Sequence, residues 1–201
     1  GPMPERPAPW LLVPAKSLSA GKQRLSGVLG EAQRQRLNRF FLRHTLEVAA
    51  GFPGLARTAV VSDDDEVLAV ARSAGARAIR TQRRELNGAL ADGRRVLRAD
   101  GAAAMIVLPV DLPAIRPADL EEVAGLGRRH DMVICPDRHG TGTNALYVSS
   151  AIAPAFRFGP GSFRLHQQEA RRCGMTAKLF FNDNIAIDID LPADLAILEG
   201  V

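Results

Sequence analysis

The sequence predicts an α/β fold, a sheet covered by helices, and three observations carry that expectation. Short apolar runs recur along the chain, a polar turn follows each of them, and helix-period patterns fill much of the space between. An all-β barrel or a helical bundle does not alternate in this way.

Taken in order, the runs Trp10 to Pro14, Thr58 to Val61, Met105 to Val110, Met132 to Cys135, Ala145 to Val148, Leu179 to Phe181 and Ala186 to Ile189 read as strands, about seven in all. Several are apolar on both faces, as strands covered on both sides are. Glu31 to Ala50 reads as a helix buried on a broad face, with apolar residues at Leu37, Phe41 and Val48 and a second stripe at Leu42, Leu46 and Ala49. Ser62 and Asp65 have the spacing of a capping box that opens a helix through Ala74. Pro117 and Pro192 suit the first turns of two later helices, and Gly174 suits the stop after Cys173.

The 201 residues, 46% hydrophobic and 24% charged, fit one globular domain over residues 10–201. Gly1 and Pro2 precede Met3 and read as the remnant of a cleaved tag, and the first nine residues, with four prolines, read as loose. No apolar stretch approaches the roughly 20 residues of a membrane span and no charged-then-apolar leader opens the chain, so a cytoplasmic protein without a membrane partner is expected. Cys135 and Cys173 are too few for a disulfide framework and lack metal spacing, so they are expected as buried thiols. The net charge of +4 and pI near 9.7 come with only 5% aromatic residues and dispersed arginines, which favours small anionic substrates over nucleic acid. Arg34, Arg36, Arg39 and Arg43 read as a solvated helix face.

Four segments have the residue types for chemistry. After the first strand, Lys16, Lys22 and Arg24 bring three cations onto one loop, where α/β proteins bind ligands. This is not a P-loop, because Gly21-Lys22 lacks the earlier glycine and Gln23 stands where Ser or Thr would hold magnesium. The lysines suit a triphosphate as point charges, or are ordinary surface lysines beside a strand end. Asp111 ends a buried apolar run and suits a metal, or a cap. Asp188 and Asp190 share a face if their segment is a strand, and two such carboxylates side by side suit a hard divalent cation such as magnesium. Asp194 reads as an exposed first-turn residue favoured by the helix dipole. Gly140-Thr-Gly-Thr143-Asn144 and Phe158-Gly159-Pro-Gly161-Ser162 are glycine-rich turns, the second opening a helix, and offer backbone N–H groups to a phosphate or carboxylate; Ser162 as an ordinary N-cap explains the same residues. The glycines at 140 and 142 precede a strand rather than joining strand to helix, which argues against a dinucleotide fold. His44, His130, His139 and His166 share no metal spacing, and no Ser-His-Asp set emerges.

Together, Lys16 with Lys22-Gln-Arg24-Leu25, Leu86-Asn87-Gly, Val110-Asp111-Leu-Pro, Gly140-Thr-Gly-Thr143, Phe158-Gly159-Pro-Gly-Ser162 and Asp188-Ile-Asp190-Leu-Pro-Ala-Asp resemble the 2-phospho-L-lactate guanylyltransferase family of coenzyme F-420 biosynthesis, over about Leu11 to Leu198. The resemblance implies a nucleotidyltransferase-type α/β fold with a mixed, mostly parallel sheet flanked by helices. It implies GTP as co-substrate, magnesium held by Asp111, Asp188 and Asp190, and catalytic roles for Lys16, Lys22 and Asp111. Lys16, Lys22, Arg24 and Asn87 would bind the nucleotide, and Thr143, Gly159 and Ser162 the acceptor. Relatives use 2-phospho-L-lactate, phosphoenolpyruvate or 3-phospho-D-glycerate. Asn144 adds hydrogen-bonding capacity that a free hydroxyl would satisfy, which tilts the expectation to 3-phospho-D-glycerate. The product would pass to an enzyme that attaches the deazaflavin, and a homodimer agrees with the resemblance. The competing readings are another sugar-phosphate or cofactor nucleotidyltransferase, and a non-catalytic nucleotide-binding module.

Overall fold

A computed structural model of the chain describes residues 7–200. The loose stretch expected at the N-terminus, with Gly1 and Pro2, lies outside them as far as residue 6; residues 7–9 are irregular.

The strands are β1 (Trp10–Pro14), β2 (Thr58–Ser62), β3 (Arg77–Arg80), β4 (Ala104–Val107), β5 (Met132–Pro136), β6 (Thr143–Ser149) and β7 (Ala177–Leu179). The helices are α1 (Glu31–Gly51), α2 (Asp65–Ala74), α3 (Leu86–Ala99), α4 (Pro117–Gly127) and α5 (Ser162–Arg172). One seven-stranded sheet runs in the order β3-β2-β1-β4-β6-β5-β7. Only β6 is antiparallel, to β4 on one side and β5 on the other, so the sheet is mixed and mostly parallel.

The strands are apolar on both faces because both are covered. Leu11, Val13, Val60 and Ile106 pack in one layer with Leu42 and Leu46 of α1, Val67 of α2 and Leu120 of α4. Their strand neighbours Leu12, Ala59, Val61 and Met105 point the other way, into a layer with Leu90 and Leu97 of α3 and Ala170 of α5. Close approach of α3 depends on Gly93, where an added Cβ would lie 2.8 Å from Leu12 Cδ1. From β1 the chain builds outwards through β2 and β3, then returns to lay β4 on the other side of β1. The carboxyl ends of β1 and β4 therefore flank a topological switch, where a cleft opens.

Several expected elements differ. Ala186 to Ile189 is not a strand. Asn182 Oδ1 accepts from the Asn184 and Ile185 N–H groups and the Asp119 carboxylate holds both asparagine amides, so side chains fix a turn there and no ladder forms. The seventh strand is β3 instead, an edge strand whose alternation of Arg77, Ala78, Ile79 and Arg80 buries only Ile79 fully. The run Met105 to Val110 is strand only to Val107, and the run at Leu179 is strand before that residue rather than after it. Helix α2 is capped by Asp64, whose side chain accepts from the Val67 N–H, while Ser62 Oγ accepts from the Asp64 N–H instead of forming a capping box with Asp65. Pro117 opens α4 as expected, whereas Pro192 opens 3-10 turns over Pro192–Gly200 rather than an α-helix.

Candidate active site

The loop after β1 is held open by α1. Asn38 donates to the carbonyls of Leu18 (2.6 Å) and Gly21 (2.9 Å), and a Cβ on Gly21 would lie 2.8 Å from its amide nitrogen. Lys22 follows with φ 62, a left-handed conformation that a lysine adopts at a cost. That conformation turns its side chain inward. Lys22 Nζ stands 3.6 Å from Asp111 Oδ2 and 5.0 Å from the Phe41 ring centroid. The pair spans the switch, since Lys22 follows β1 and Asp111 follows β4.

The cleft beside this pair encloses about 720 Å³. Lys16, Lys22, Asp111 and Asp190 are among its walls, and Ser62, Asp63, Arg83 and Arg84 extend it across the ends of β2 and β3. Lys16 is exposed and makes no ion pair among the described residues. Arg24 lies at the rim, its guanidinium 2.6 Å from Asp190 Oδ2.

Asp111, Asp188 and Asp190 converge although no strand aligns the last two. The Ile189 N–H donates to the Asp111 carbonyl at 3.0 Å, which lays the segment across the end of β4. Asp188 Oδ1 accepts from Asn144 at 3.3 Å and faces Arg138 at 4.0 Å. Asp194 is buried, contrary to expectation: its carboxylate accepts from the Asp190 and Leu191 N–H groups and pairs with Arg138, so it shapes the carboxylate loop. Burial pushes the Asp111 carboxyl above its ordinary value, Lys22 pulls it back, and the charge of Asp190 adds to the rise. Burial also raises the Asp188 carboxyl, with the charge of Asp111 as the next cause. Among the described residues, no three His, Cys, Asp or Glu side chains stand arranged to hold a metal as they are. The donor chemistry nevertheless fits a hard divalent cation, for Asp190 and Asp111, and Asp111 and Asp188, act on one another as like charges here, with Lys22, Arg24 and Arg138 as their ion-pair partners.

Asn87, Thr143, Gly159 and Ser162 form a second group. The Asn87 amide is spent on the main chain of Phe158, donating to its carbonyl at 3.0 Å and accepting its N–H at 2.9 Å. It therefore ties α3 to the turn in which Gly159 (φ 126) and Gly161 (φ 72) need glycine's freedom. Gly161 is the N-cap residue of α5 and Ser162 the first helical one, so Ser162 is not the cap. Ser162 Oγ donates to Thr143 Oγ1 at 3.1 Å. The two groups meet at the start of β6, where Thr143 belongs to the second and Asn144 holds Asp188 of the first. The Asn144 amide nitrogen donates to Asp188 and to the Ile185 carbonyl (2.9 Å), so its hydrogens serve the carboxylate loop.

Asn38, Arg138 and His166 act here without having been singled out. For Asn38 and His166 the signal was available as polar residues on buried helical spacing: Asn38 precedes Leu42 by one turn, and Ser162, His166 and Glu169 share the buried face of α5 with Ala170; Arg138, in the turn after β5, gave no such signal. The thiols divide, Cys135 buried and Cys173 half-buried. No helix among the described residues is long and apolar enough to cross a membrane.

The family model of CofC-like guanylyl transferases matches residues 10–199. A phosphoenolpyruvate guanylyltransferase of Rubrobacter xylanophilus is 44% identical over 194 residues, which cover 95% of this chain and 93% of that protein. One from Chloroflexus aggregans is 34% identical over 184 residues, covering 90% and 91%. Among solved structures, a Desulfovibrio desulfuricans protein described as a nucleotide-diphospho-sugar transferase superposes with a TM-score of 0.77 at 17% identity, over 94% of this chain and 84% of that one. A cytidylyltransferase of Leptospira borgpetersenii gives 0.64 at 14%, over 94% and 84%. These two likenesses establish a fold shared with nucleotidyltransferases, and the sequence matches establish more: the chain belongs to the CofC-like guanylyl transferase family.

Proposed function

We propose that this chain, acting as one domain, transfers GMP from GTP to a small phosphorylated three-carbon acid and releases pyrophosphate, as a step of coenzyme F-420 biosynthesis. The observation that carries the reading is the Lys22–Asp111 pair at the sheet's switch, within a family match that spans residues 10–199. An oxygen of the acceptor phosphate attacks the α-phosphorus of GTP in line, the bond from that phosphorus to the bridging oxygen breaks, and pyrophosphate leaves. The acceptor oxygen is already ionised near neutral pH, so no protein base is required.

Lys16 and Lys22 offset the charge of the triphosphate and then of the leaving pyrophosphate, with Arg24 at the rim. Asp111, Asp188 and Asp190 would hold magnesium, which when bound supplies charge neutralisation at the reacting phosphate oxygens. Thr143 and the Gly159 turn receive the acceptor, Ser162 contributes through the hydroxyl it donates to Thr143, and Asn87 acts on the nucleotide through the position of α3. The names of the relatives favour phosphoenolpyruvate as that acceptor, ahead of 3-phospho-D-glycerate and 2-phospho-L-lactate. The product suits a following enzyme that attaches the deazaflavin.

The test is pyrophosphate release from GTP with magnesium against each of the three acids, with ATP and a chelator as controls. Release is expected with GTP, fastest with phosphoenolpyruvate and absent under chelation. Silence with all three acids would overturn the reading in favour of a different nucleotidyl acceptor.

A further inference from the structure

His166 is the one histidine that is fully buried, and nothing in the transfer described above uses it. Its Nε2 accepts the main-chain N–H of Arg157 at 3.0 Å. A main-chain N–H can only donate, so Nε2 is the bare nitrogen and the neutral ring carries its proton on Nδ1. Nδ1 lies 2.9 Å from Thr143 Oγ1, which must then accept. That oxygen accepts a second time, from Ser162 Oγ at 3.1 Å.

With both lone pairs of Thr143 engaged, its own hydrogen is free to be given to something else. Ser162 has no such freedom, for its hydroxyl is spent on Thr143 and its N–H on the Gly159 carbonyl at 3.1 Å. Phosphate and carboxylate oxygens at neutral pH only accept, so a hydroxyl committed in advance to donating binds them without reorientation.

We propose that His166 is a positioning residue that sets the Thr143 hydroxyl as the hydrogen-bond donor to an anionic oxygen of the phosphorylated acceptor. This rests on the reading that Thr143 belongs to the acceptor site. The environment keeps the ring in the required state: burial pushes its pKa down to about 4, and the Phe158 ring closes over it edge-on with centroids 4.8 Å apart. The Ser162 carbonyl, which the ring also faces, pulls the other way, and so does Glu169, which is itself committed to Arg172 and the Ala155 N–H, while Arg157 opposes them.

The experiment measures KM for phosphoenolpyruvate and for GTP in the wild type and in Thr143→Val, Ser162→Ala, His166→Gln and His166→Asn. Thr143→Val and His166→Gln should each raise the acceptor KM about tenfold, the loss of one hydrogen bond to a charged group, with the GTP KM unchanged. Asn can reproduce the Nδ1 donor and should retain most of the affinity; Ser162→Ala should fall short of Thr143→Val. The Thr143→Val/His166→Gln double variant should be no worse than Thr143→Val alone. Effects that multiply in the double variant, or that raise both KM values alike, would overturn the role of His166 while leaving the acceptor site standing. An unchanged acceptor KM in Thr143→Val would remove the acceptor reading itself. Nitrogen chemical shifts of the wild-type imidazole provide a test independent of any variant's folding: the Nδ1–H tautomer is expected, and an Nε2–H tautomer overturns the proposal.

Discussion

Around Lys16 and Lys22 the molecule presents charge on loops, beside a cleft of about 720 Å³ with one lysine exposed and another held in a left-handed conformation. Around Thr143, Ser162 and His166 it presents almost no charge and little exposure, and the polar atoms are tied to one another within 3.1 Å. The difference matches the two tasks of the proposed reaction. A triphosphate is large and highly charged, and exposed cations on a loop can receive it with modest precision. A three-carbon acid is small and must present one oxygen in line, which calls for a rigid, preorganised cradle. The carboxylates Asp111, Asp188 and Asp190 lie between the two regions.

The largest expected effect is at that junction. Asp188→Ala and Asp190→Ala should each lower turnover about a thousandfold or more, consistent with the several kcal/mol that a metal supplies at a phosphoryl oxygen. Pyrophosphate release by folded variants provides the measurement; wild-type rates would remove the metal assignment. Asp190 pairs with an exposed arginine, so its loss should leave the fold intact.

Next in size is a dependence of stability on pH that belongs to the cradle alone. The folded His166 has a pKa of about 4 against an ordinary 6.5, so as pH falls the unfolded chain takes up a proton before the folded one does. Its contribution is complete above about pH 6.5 and is lost progressively towards pH 4, by about 3 kcal/mol for a shift of that size. Glu169, held down to about 2 by Arg172, loses its contribution in a lower window, as pH falls from about 4.5. Denaturant unfolding at pH 7, 5.5 and 4.5 should show the first loss in the wild type and its absence in His166→Asn. An identical slope in that variant would assign the pH dependence elsewhere.

On the cleft side, Lys22→Met should reduce kcat/KM for GTP about a hundredfold, as loss of one preorganised charge does. It should also cost about 2 kcal/mol of stability, because it strips the half-buried Asp111 carboxylate of its partner. Adding Asp111→Asn should recover the stability and none of the activity. Recovery of both would mean that the pair is structural and the triphosphate is met by other residues.

Most of the fold was legible because doubly covered strands are runs of apolar residues, and six of the seven lie in or beside such runs. β3 was not, since an edge strand with arginines at both ends buries a single side chain fully. Asp188 and Asp190 were singled out on a strand periodicity that does not hold: they approach Asp111 through a turn whose Asn182 and Asn184 are held by Asp119, distant in sequence. Lys22 was legible as a cation on a loop, but its left-handed backbone and its inward turn depend on Asn38 of α1 and on Phe41 beneath it. His166 shows the same limit from the other side. Spacing finds histidines that share a metal, whereas this one takes its meaning from an N–H nine residues away and a hydroxyl on β6.

The smallest effect tests whether cleft and cradle are separable at their seam. Asn144 follows Thr143 on β6 but turns to the carboxylates, donating to the Ile185 carbonyl and to Asp188 Oδ1. Asn144→Ala removes both bonds, which should cost about 1 to 2 kcal/mol and lower kcat about tenfold by loosening the Asp188 loop. If the amide serves the loop alone, the ratio of kcat/KM for phosphoenolpyruvate to that for 3-phospho-D-glycerate should not change. A shifted ratio would mean that Asn144 also reads the acceptor, and the boundary between the two regions would then run through this side chain rather than between it and Thr143.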